Sequence, residues 1–412
     1  MEKIASVSLR KKGHILGAKR MNSVIKDFPG DDSKSSGRIL WLTDTFGDHN
    51  GVSTVLKSIH QEIKSRNLPV DIMVCSTTIE PDDHLIVIKP VSQFTMPLYR
   101  QQPMRIPNYL SVQRAFRKGK YDRIICSTEG PMGIAALWLK NVFSVDAWFY
   151  LHTDWLSFAR EVLSFEKTGL HVLERLMRIY YKRFGNVFVL NTDQQQWLTG
   201  KAMGFDPGQV FLTAHWVDGI FSEMTSAMCW NLPFDNQKPV VLYAGRISKE
   251  KGVMELPGII RKVRSVFPEI QVVIAGTGPA EEDLKALMPD AFYLGWVAQE
   301  TLPALFRASD ILLLPSRFDT FSCVVLEALS CGLPVVAYNT KGPKDILEDS
   351  VNGYLVETDE EMAGKVVRFF IDPSIRAKMK QAAFRRAKEY QAGKIMDRLL
   401  QDAGLSVETC QI

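Results

Sequence analysis

Four charged residues in two short stretches could do chemistry together. Arg246 and Lys251 lie in YAGRISKEKG (243–252), and Asp319 and Glu327 lie in SRFDTFSCVVLEALSCGLPVV (316–336). Each stretch joins an apolar run that reads as a strand to a helical pattern. The first puts two cations near a strand end. Positioned cations stabilise charge as a sugar–phosphate bond breaks, and arginine can fork onto two oxygens. The second straddles a helix start, expected near Phe321 or Ser322, whose free amides and dipole can hold a phosphate or a hydroxyl without a metal. Carboxylates suit sugar hydroxyls, so the two stretches together imply a nucleotide-sugar site and sugar transfer. Taken singly, each has a plainer reading. The first suits a solvated turn, and Glu327 suits an exposed helix face, although Val324, Val325, Leu326, Ala328 and Leu329 crowd it. A fully helical path from Asp319 to Glu327 would cover about 12 Å. That is too far for a shared-proton dyad and wide for the roughly 5–9 Å of a glycosidase pair. The carboxylates are expected to work at two ends of one ligand.

Strands must carry these loops. RILWLT (38–43), VDIMVC (70–75), LIVIKP (85–90), DRIICS (122–127), AWFYLH (147–152) and VFVLN (187–191) read as buried strands. Helices are expected at 51–66, 130–140, 155–184 and 193–203. The pattern pauses over 221–239, where an interdomain linker is expected. It restarts with VVLYAG (240–245), QVVIAG (271–276), AFYLG (291–295), ILLLPS (311–316), PVVAYN (334–339) and GYLV (353–356). Alternation of this kind implies an α/β protein with two parallel sheets covered by helices. Ligands in such sheets bind beyond the strand carboxyl ends, here in an interdomain cleft.

The chain has 412 residues, of which 46% are hydrophobic, so more than one full core can be buried. A net charge of +4 is too small to argue for a nucleic-acid partner. Six cysteines without a CxxC pair read as free thiols in a reducing compartment. The histidines form no HExxH cluster, so neither a metal nor another cofactor is expected. No apolar run approaches the roughly 20 residues that span a bilayer. Residues 1–36 read as a basic tail or, alternatively, as a lipid-surface anchor or a lid over the site.

Between Asp83 and Asp122 there is no acid. Lys89, Arg100, Arg105, Arg114, Arg117, Lys118 and Lys120 interleave there with Phe94, Met96, Leu98, Tyr99, Met104, Ile106, Tyr109 and Leu110. Prolines 90, 97, 103 and 107 suggest a long exposed loop before a basic helix. Basic and apolar residues together suit an anionic membrane surface or a lipid-linked acceptor. They equally suit a solvated cover of the sheet.

GRISKEKG, IAGTGP, FYLGWV, ASDILLLPSRFDTFSCVVLEALSCGLPVVA and VNGYLV, in this order, resemble family 4 of the retaining glycosyltransferases. The Asp319-to-Glu327 stretch is similar to that family's E-x7-E motif. A weaker likeness runs over 38–220 through DHNGVS (48–53), YLHTDW (150–155) and HWVDGIF (215–221). The resemblance implies the GT-B architecture, two facing Rossmann-like domains with an interdomain cleft. The expected bounds are 37–225 for the acceptor-side domain and 237–389 for the donor-side domain, with a C-terminal helix near 390–412 packed back on the first.

By the same resemblance, Arg246 and Lys251 would grip the donor diphosphate and Glu327 the ribose. Asp319 and the backbone amides of Phe321, Ser322 and Cys323 would hold the transferred sugar, with His152 near the reacting carbon. Gly51 would let the N-terminal loop approach the phosphates. Without the resemblance His152 reads as a packed strand-end residue, and Thr153 and Asp154 as helix caps. Asp319 stands where glutamate is commoner, Ser322 where a second glycine is usual, and Lys341-Gly342-Pro343-Lys344 where a Gly-Gly is common. The expectation is a retaining hexosyltransferase that uses a UDP- or GDP-sugar and a lipid or glycan acceptor, without a metal. It would be cytoplasmic and peripheral at the inner face of a membrane. A sugar-nucleotide epimerase and a catalytically silent binding subunit are the alternatives.

Overall fold

A computed structural model describes residues 37–48, 51–96, 99–161, 163–221, 233–235 and 237–405. The basic tail at 1–36 and most of the expected linker (222–232 and 236) lie outside the described residues. The first half forms nine strands: β1 (Ile39–Thr43), β2 (Val70–Cys75), β3 (Leu85–Ile88), β4 (Pro90–Met96), β5 (Tyr99–Pro107), β6 (Arg123–Cys126), β7 (Asp146–Tyr150), β8 (Asn186–Val189) and β9 (Val210–Leu212). The second forms β10 (Val240–Ala244), β11 (Gln271–Ala275), β12 (Phe292–Gly295), β13 (Ile311–Leu314), β14 (Val335–Tyr338) and β15 (Gly353–Val356).

The sheet orders are β3-β2-β1-β6-β7-β8-β9 and β12-β11-β10-β13-β14-β15, and the ladders in both are parallel. In each, the strand order reverses beside the first strand of its half. That reversal opens a crevice beyond the carboxyl ends of β1 and β6, and another beyond β10 and β13. Continuous apolar strands such as Ile39–Leu42 and Val240–Tyr243 are buried because helices cover both faces. One core cluster runs from Trp41, Tyr150 and Phe188 of the first half to Leu242, Leu312 and Val335 of the second. Helix Ala392–Asp402 lies against helix Gly51–Arg66, where Arg66 pairs with Asp397 at 2.5 Å.

Three elements differ from the sequence expectation. The 155–184 helix is two helices, Trp155–Glu161 and Lys167–Tyr181. The short strand β9 carries no periodic signal. The expected loop before the basic helix is a two-stranded antiparallel hairpin, β4–β5, whose turn residues 97–98 lie outside the described residues. Prolines 90, 103 and 107 are tolerated within it because a two-stranded ladder consists only of edge strands.

Candidate functional site

The second crevice is built by backbone pressed on backbone. Past β10 the amides of Gly245 and Ile247 donate to the carbonyls of Ala275 and Thr277. Gly276 has φ +135°, and a Cβ there would lie 1.9 Å from the Gly245 oxygen, so no side chain fits. The Tyr243 hydroxyl donates to the Arg246 carbonyl at 2.7 Å and pins that turn. Arg246 and Glu327 line one cavity of about 630 Å³, together with the 276–279 turn, Trp296 and Val297. Trp296 is 76% exposed at the rim of this cavity. Burial raises the Glu327 carboxyl to about 7.

The loop after β13 carries Asp319. The Lys251 ammonium donates to Asp319 Oδ1 at 2.5 Å, whereas Oδ2 is buried without a partner. Helix Cys323–Ser330 follows, which leaves the Cys323 amide among its unpaired first-turn groups. Ser322 precedes it at φ 70°, ψ 69°, in the left-handed region, which explains why glycine is the usual residue there. Its hydroxyl is buried and unpartnered. The Gly342 amide donates to the Asp319 carbonyl at 3.2 Å and holds this loop from below.

His152 follows β7. Its ring lies 4.1 Å from Tyr150 and is stacked at 12° on His215, whose ring meets Phe321 edge-on at 4.8 Å. These rings join the first half of the chain to the Asp319 loop. Both ring nitrogens of His152 are buried without partners, and burial lowers its pKa to about 3. A buried polar atom without a partner costs about 1–3 kcal/mol. Three such groups, on His152, Asp319 and Ser322, belong to segments that meet here. Gly51 is the first residue of helix Gly51–Arg66, with open space where a Cβ would stand. Among the described residues no group of three His, Cys, Asp or Glu side chains is placed to hold a metal ion.

Sequence reasoning missed the clasp that brings the two halves together. Helix Lys341–Ile346 faces the first half of the chain. Lys341 donates to Asp154 at 2.5 Å and to the Ser157 hydroxyl at 2.6 Å, and Lys344 to Asp193 at 2.5 Å. Asp345 accepts from the Thr192 amide at 2.6 Å, and the Asn191 amide group donates to the Thr320 carbonyl at 2.6 Å. Asp154 also caps helix Trp155–Glu161 through the Ser157 amide. His215 was missed too. Its stretch HWVDGIF was legible, but nothing local pairs it with His152.

Comparison with known proteins bears on the family and the fold. The model of the group 1 glycosyl transferases matches residues 227–386, and that of glycosyltransferase family 4 matches 49–218. The α-D-kanosaminyltransferase of Streptomyces kanamyceticus is 32% identical over 156 residues, 36% of this chain and 40% of that protein. A GDP-mannose-dependent α-mannosyltransferase of Corynebacterium glutamicum is 29% identical over 195 residues, 45% of this chain and 46% of that protein. The matched stretches thus span less than half of these relatives. Sucrose-phosphate synthase from Thermosynechococcus elongatus superposes with a TM-score of 0.72 at 18% identity, over 88% of this chain and 98% of that one. Anabaena Alr3699/HepE, solved in complex with UDP-glucose, gives 0.66 at 19% identity, over 90% and 100%. These two show the fold, two Rossmann-like domains in the GT-B arrangement. With both halves matched in order, the chain belongs to the group 1, family 4-like glycosyltransferases.

Proposed function

We propose that the protein is a retaining glycosyltransferase that moves a sugar from a UDP- or GDP-linked donor to a hydroxyl of a lipid or glycan acceptor. The observation that carries this reading is the cleft shared by Arg246 and Glu327 at the strand-order reversal of the second sheet. A diphosphate on Arg246 and a ribose on Glu327 would lay the nucleotide along that cleft, with the base toward Trp296. The sugar would then lie against Asp319, Ser322 and the Cys323 amide, where unpartnered polar atoms await hydroxyls. Arrival of the diphosphate would draw Lys251 from Asp319 to the phosphates and free the carboxylate for the sugar.

His152 is too weak a base to take the acceptor proton, since burial holds its pKa near 3. The leaving phosphate is the better acceptor of that proton, on the face where the acceptor attacks. This geometry keeps the anomeric configuration. The test is donor turnover: UDP- and GDP-sugars incubated with the protein alone should be slowly hydrolysed, with the configuration of the first-formed sugar read by NMR. EDTA should leave that turnover largely intact, because two cations and helix amides carry the leaving-group charge. Abolition by EDTA with rescue by manganese would overturn this. No turnover of any donor would favour a silent binding subunit.

The two carboxylates are expected to differ in kinetics. Glu327→Gln should raise donor KM about tenfold with kcat little changed, and Asp319→Asn should lower kcat about a hundredfold. Equal signatures would mean the roles are wrongly divided. Glu327 also predicts a pH effect. Its folded value of about 7 lies above the ordinary 4.5, so the native state keeps a proton that the unfolded chain releases. Its contribution to stability is full below about pH 4.5 and is lost as pH rises through 7. The unliganded Glu327→Gln protein should therefore melt higher than wild type at pH 8 and about equally at pH 5.

We propose further that the protein works peripherally on an anionic membrane. The hairpin exposes Val91 and Phe94, and the following helix exposes Leu110 beside Arg114, Arg117 and Lys118. Near an anionic surface each cation adds about 1 kcal/mol, screened by salt. Reversing Arg114, Arg117 and Lys118 to Glu should release the protein from phosphatidylserine vesicles in a flotation assay and spare donor hydrolysis. Equal binding by both proteins, or by neither at low salt, would leave a soluble glycan as the acceptor. Among the described residues no helix is long and apolar enough to cross a membrane.

A further inference from the structure

Three helices of the first half share one core cluster. Phe116 of helix Tyr109–Gly119, Leu139 of helix Pro131–Phe143, and Met177 and Tyr181 of helix Lys167–Tyr181 all pack into it. The Tyr109 hydroxyl donates to the Pro131 carbonyl, and the Lys140 ammonium to the Arg183 carbonyl, so neighbouring helices of this layer touch. The sides turned away from that core are not uniformly polar. In helix Lys167–Tyr181, Val172, Leu176 and Ile179 are 55%, 58% and 52% exposed. Steps of four and three residues put them on one stripe. Single exposed aliphatics are ordinary on a protein surface, whereas an unbroken stripe of three on one helix marks a contact.

The charge beside the stripe has one sign. Arg175 and Arg178 each stand one position before a stripe residue, and Lys182 and Arg183 follow the end of the helix. The one acid in the helix sequence, Glu174, accepts the Trp197 indole at 2.9 Å. Among the described residues, Arg175, Arg178 and Arg183 make no ion pair.

We propose that this face of helix Lys167–Tyr181 is a second membrane footing. Val172, Leu176 and Ile179 enter the interfacial layer of an anionic bilayer, and Arg175, Arg178 and Arg183 meet lipid phosphates. The proposal rests on the peripheral reading above and adds a contact on a different helix from the one used there. Charge selects the occupant. A second copy docked through the same face would set these arginines against one another. Residues 1–36 carry Lys3, Arg10, Lys11, Lys12, Lys19 and Arg20, so that segment is repelled as well. An anionic bilayer takes aliphatic side chains and supplies phosphates at once. The footing is also tied to the first crevice. The Tyr180 hydroxyl donates to the Thr128 carbonyl at 3.0 Å and the Tyr181 hydroxyl to Glu129 at 2.7 Å, in the loop at the carboxyl end of β6.

The experiment is flotation of the full chain on phosphatidylcholine vesicles with and without about 30% phosphatidylserine. Wild type is expected to float with the anionic vesicles only. Leu176→Gln/Ile179→Gln should partition about tenfold more weakly. Arg175→Gln/Arg178→Gln should do the same at low salt, with the difference from wild type shrinking in about 0.5 M salt. All four positions are exposed, so urea midpoints and donor hydrolysis should match wild type. Equal partitioning of wild type and both double variants would overturn the footing. If reversal of Arg114, Arg117 and Lys118 still released the protein in that case, the peripheral reading would stand without the footing. Release of the double variants but not of the reversed protein would support the footing and remove the hairpin and its helix as the contact. No flotation of wild type at low salt would overturn both. A wild type that is dimeric by light scattering and becomes monomeric in Leu176→Gln/Ile179→Gln would assign the stripe to a second copy and overturn the membrane footing.

Discussion

Arg246→Ala is expected to lower kcat/KM for donor turnover about 30- to 1,000-fold while the protein unfolds at the same urea concentration as wild type. Loss of a charged contact to a phosphate inside a cleft costs about 2–4 kcal/mol of transition-state stabilisation. The Arg246 backbone is fixed by Tyr243 and not by its own guanidinium, so truncation leaves the turn in place. Lys251→Ala should lose rate similarly but behave differently on unfolding. Its ammonium is the partner of Asp319, whose other oxygen is already buried and unpaired. Removing it strands a half-buried carboxylate, at a cost of about 1–3 kcal/mol. The sequence alone suggests a free polar turn at both positions. Near-normal kcat/KM in both variants would remove the phosphate-clamp assignment, and equal urea midpoints for Arg246→Ala and Lys251→Ala would remove the stabilising role of the Lys251–Asp319 pair.

Gly342→Ala is expected to be more damaging still. A Cβ at Gly342 would stand 2.5 Å from the Phe321 Cα and carbonyl oxygen, and backbone cannot swing aside as a side-chain tip can. The overlap must displace either the Asp319–Ser322 loop or helix Lys341–Ile346. We expect a stability loss of about 3 kcal/mol by urea unfolding, and donor turnover reduced more than a hundredfold if the Asp319–Ser322 loop holds the sugar as proposed. A variant with wild-type midpoint and turnover would show that the loop has slack where the structure has none. Ser322→Gly provides the contrast, since it relieves a left-handed serine and should leave stability within about 1 kcal/mol of wild type.

Local patterns made the sheets legible. Runs such as RILWLT and VVLYAG are buried on both faces and therefore apolar throughout, and each ends in small or polar residues where the chain turns. The same runs place Arg246, Lys251 and Asp319 in the turns just past strand ends, and Glu327 in the helix that follows the second turn. What sequence reasoning could not supply is pairing across long separations. Lys341 meets Asp154 and Lys344 meets Asp193, more than 150 residues apart in each case, and no periodicity records that. The departure of Lys341-Gly342-Pro343-Lys344 from a Gly-Gly pattern is visible in the sequence, but nothing local says what the lysines meet. In the fold the two lysines are bridges, and the retained glycine is the one that touches Phe321. The hairpin was missed for a related reason. Proline argues against a central strand, but a ladder with no centre escapes that argument.

Helix Lys341–Ile346 has a mechanical consequence. On one side it grips the first half of the chain through Lys341, Lys344 and Asp345, and on the other Gly342 supports the Asp319 carbonyl. Gly342 sits between the two lysines, so the residues that hold the first half and the residue that supports the Asp319 loop share one short helix. On the proposed reading, any parting of the halves would tug on the loop assigned to the sugar. That loop would hold the sugar most firmly while Lys341 and Lys344 keep their partners in the first half.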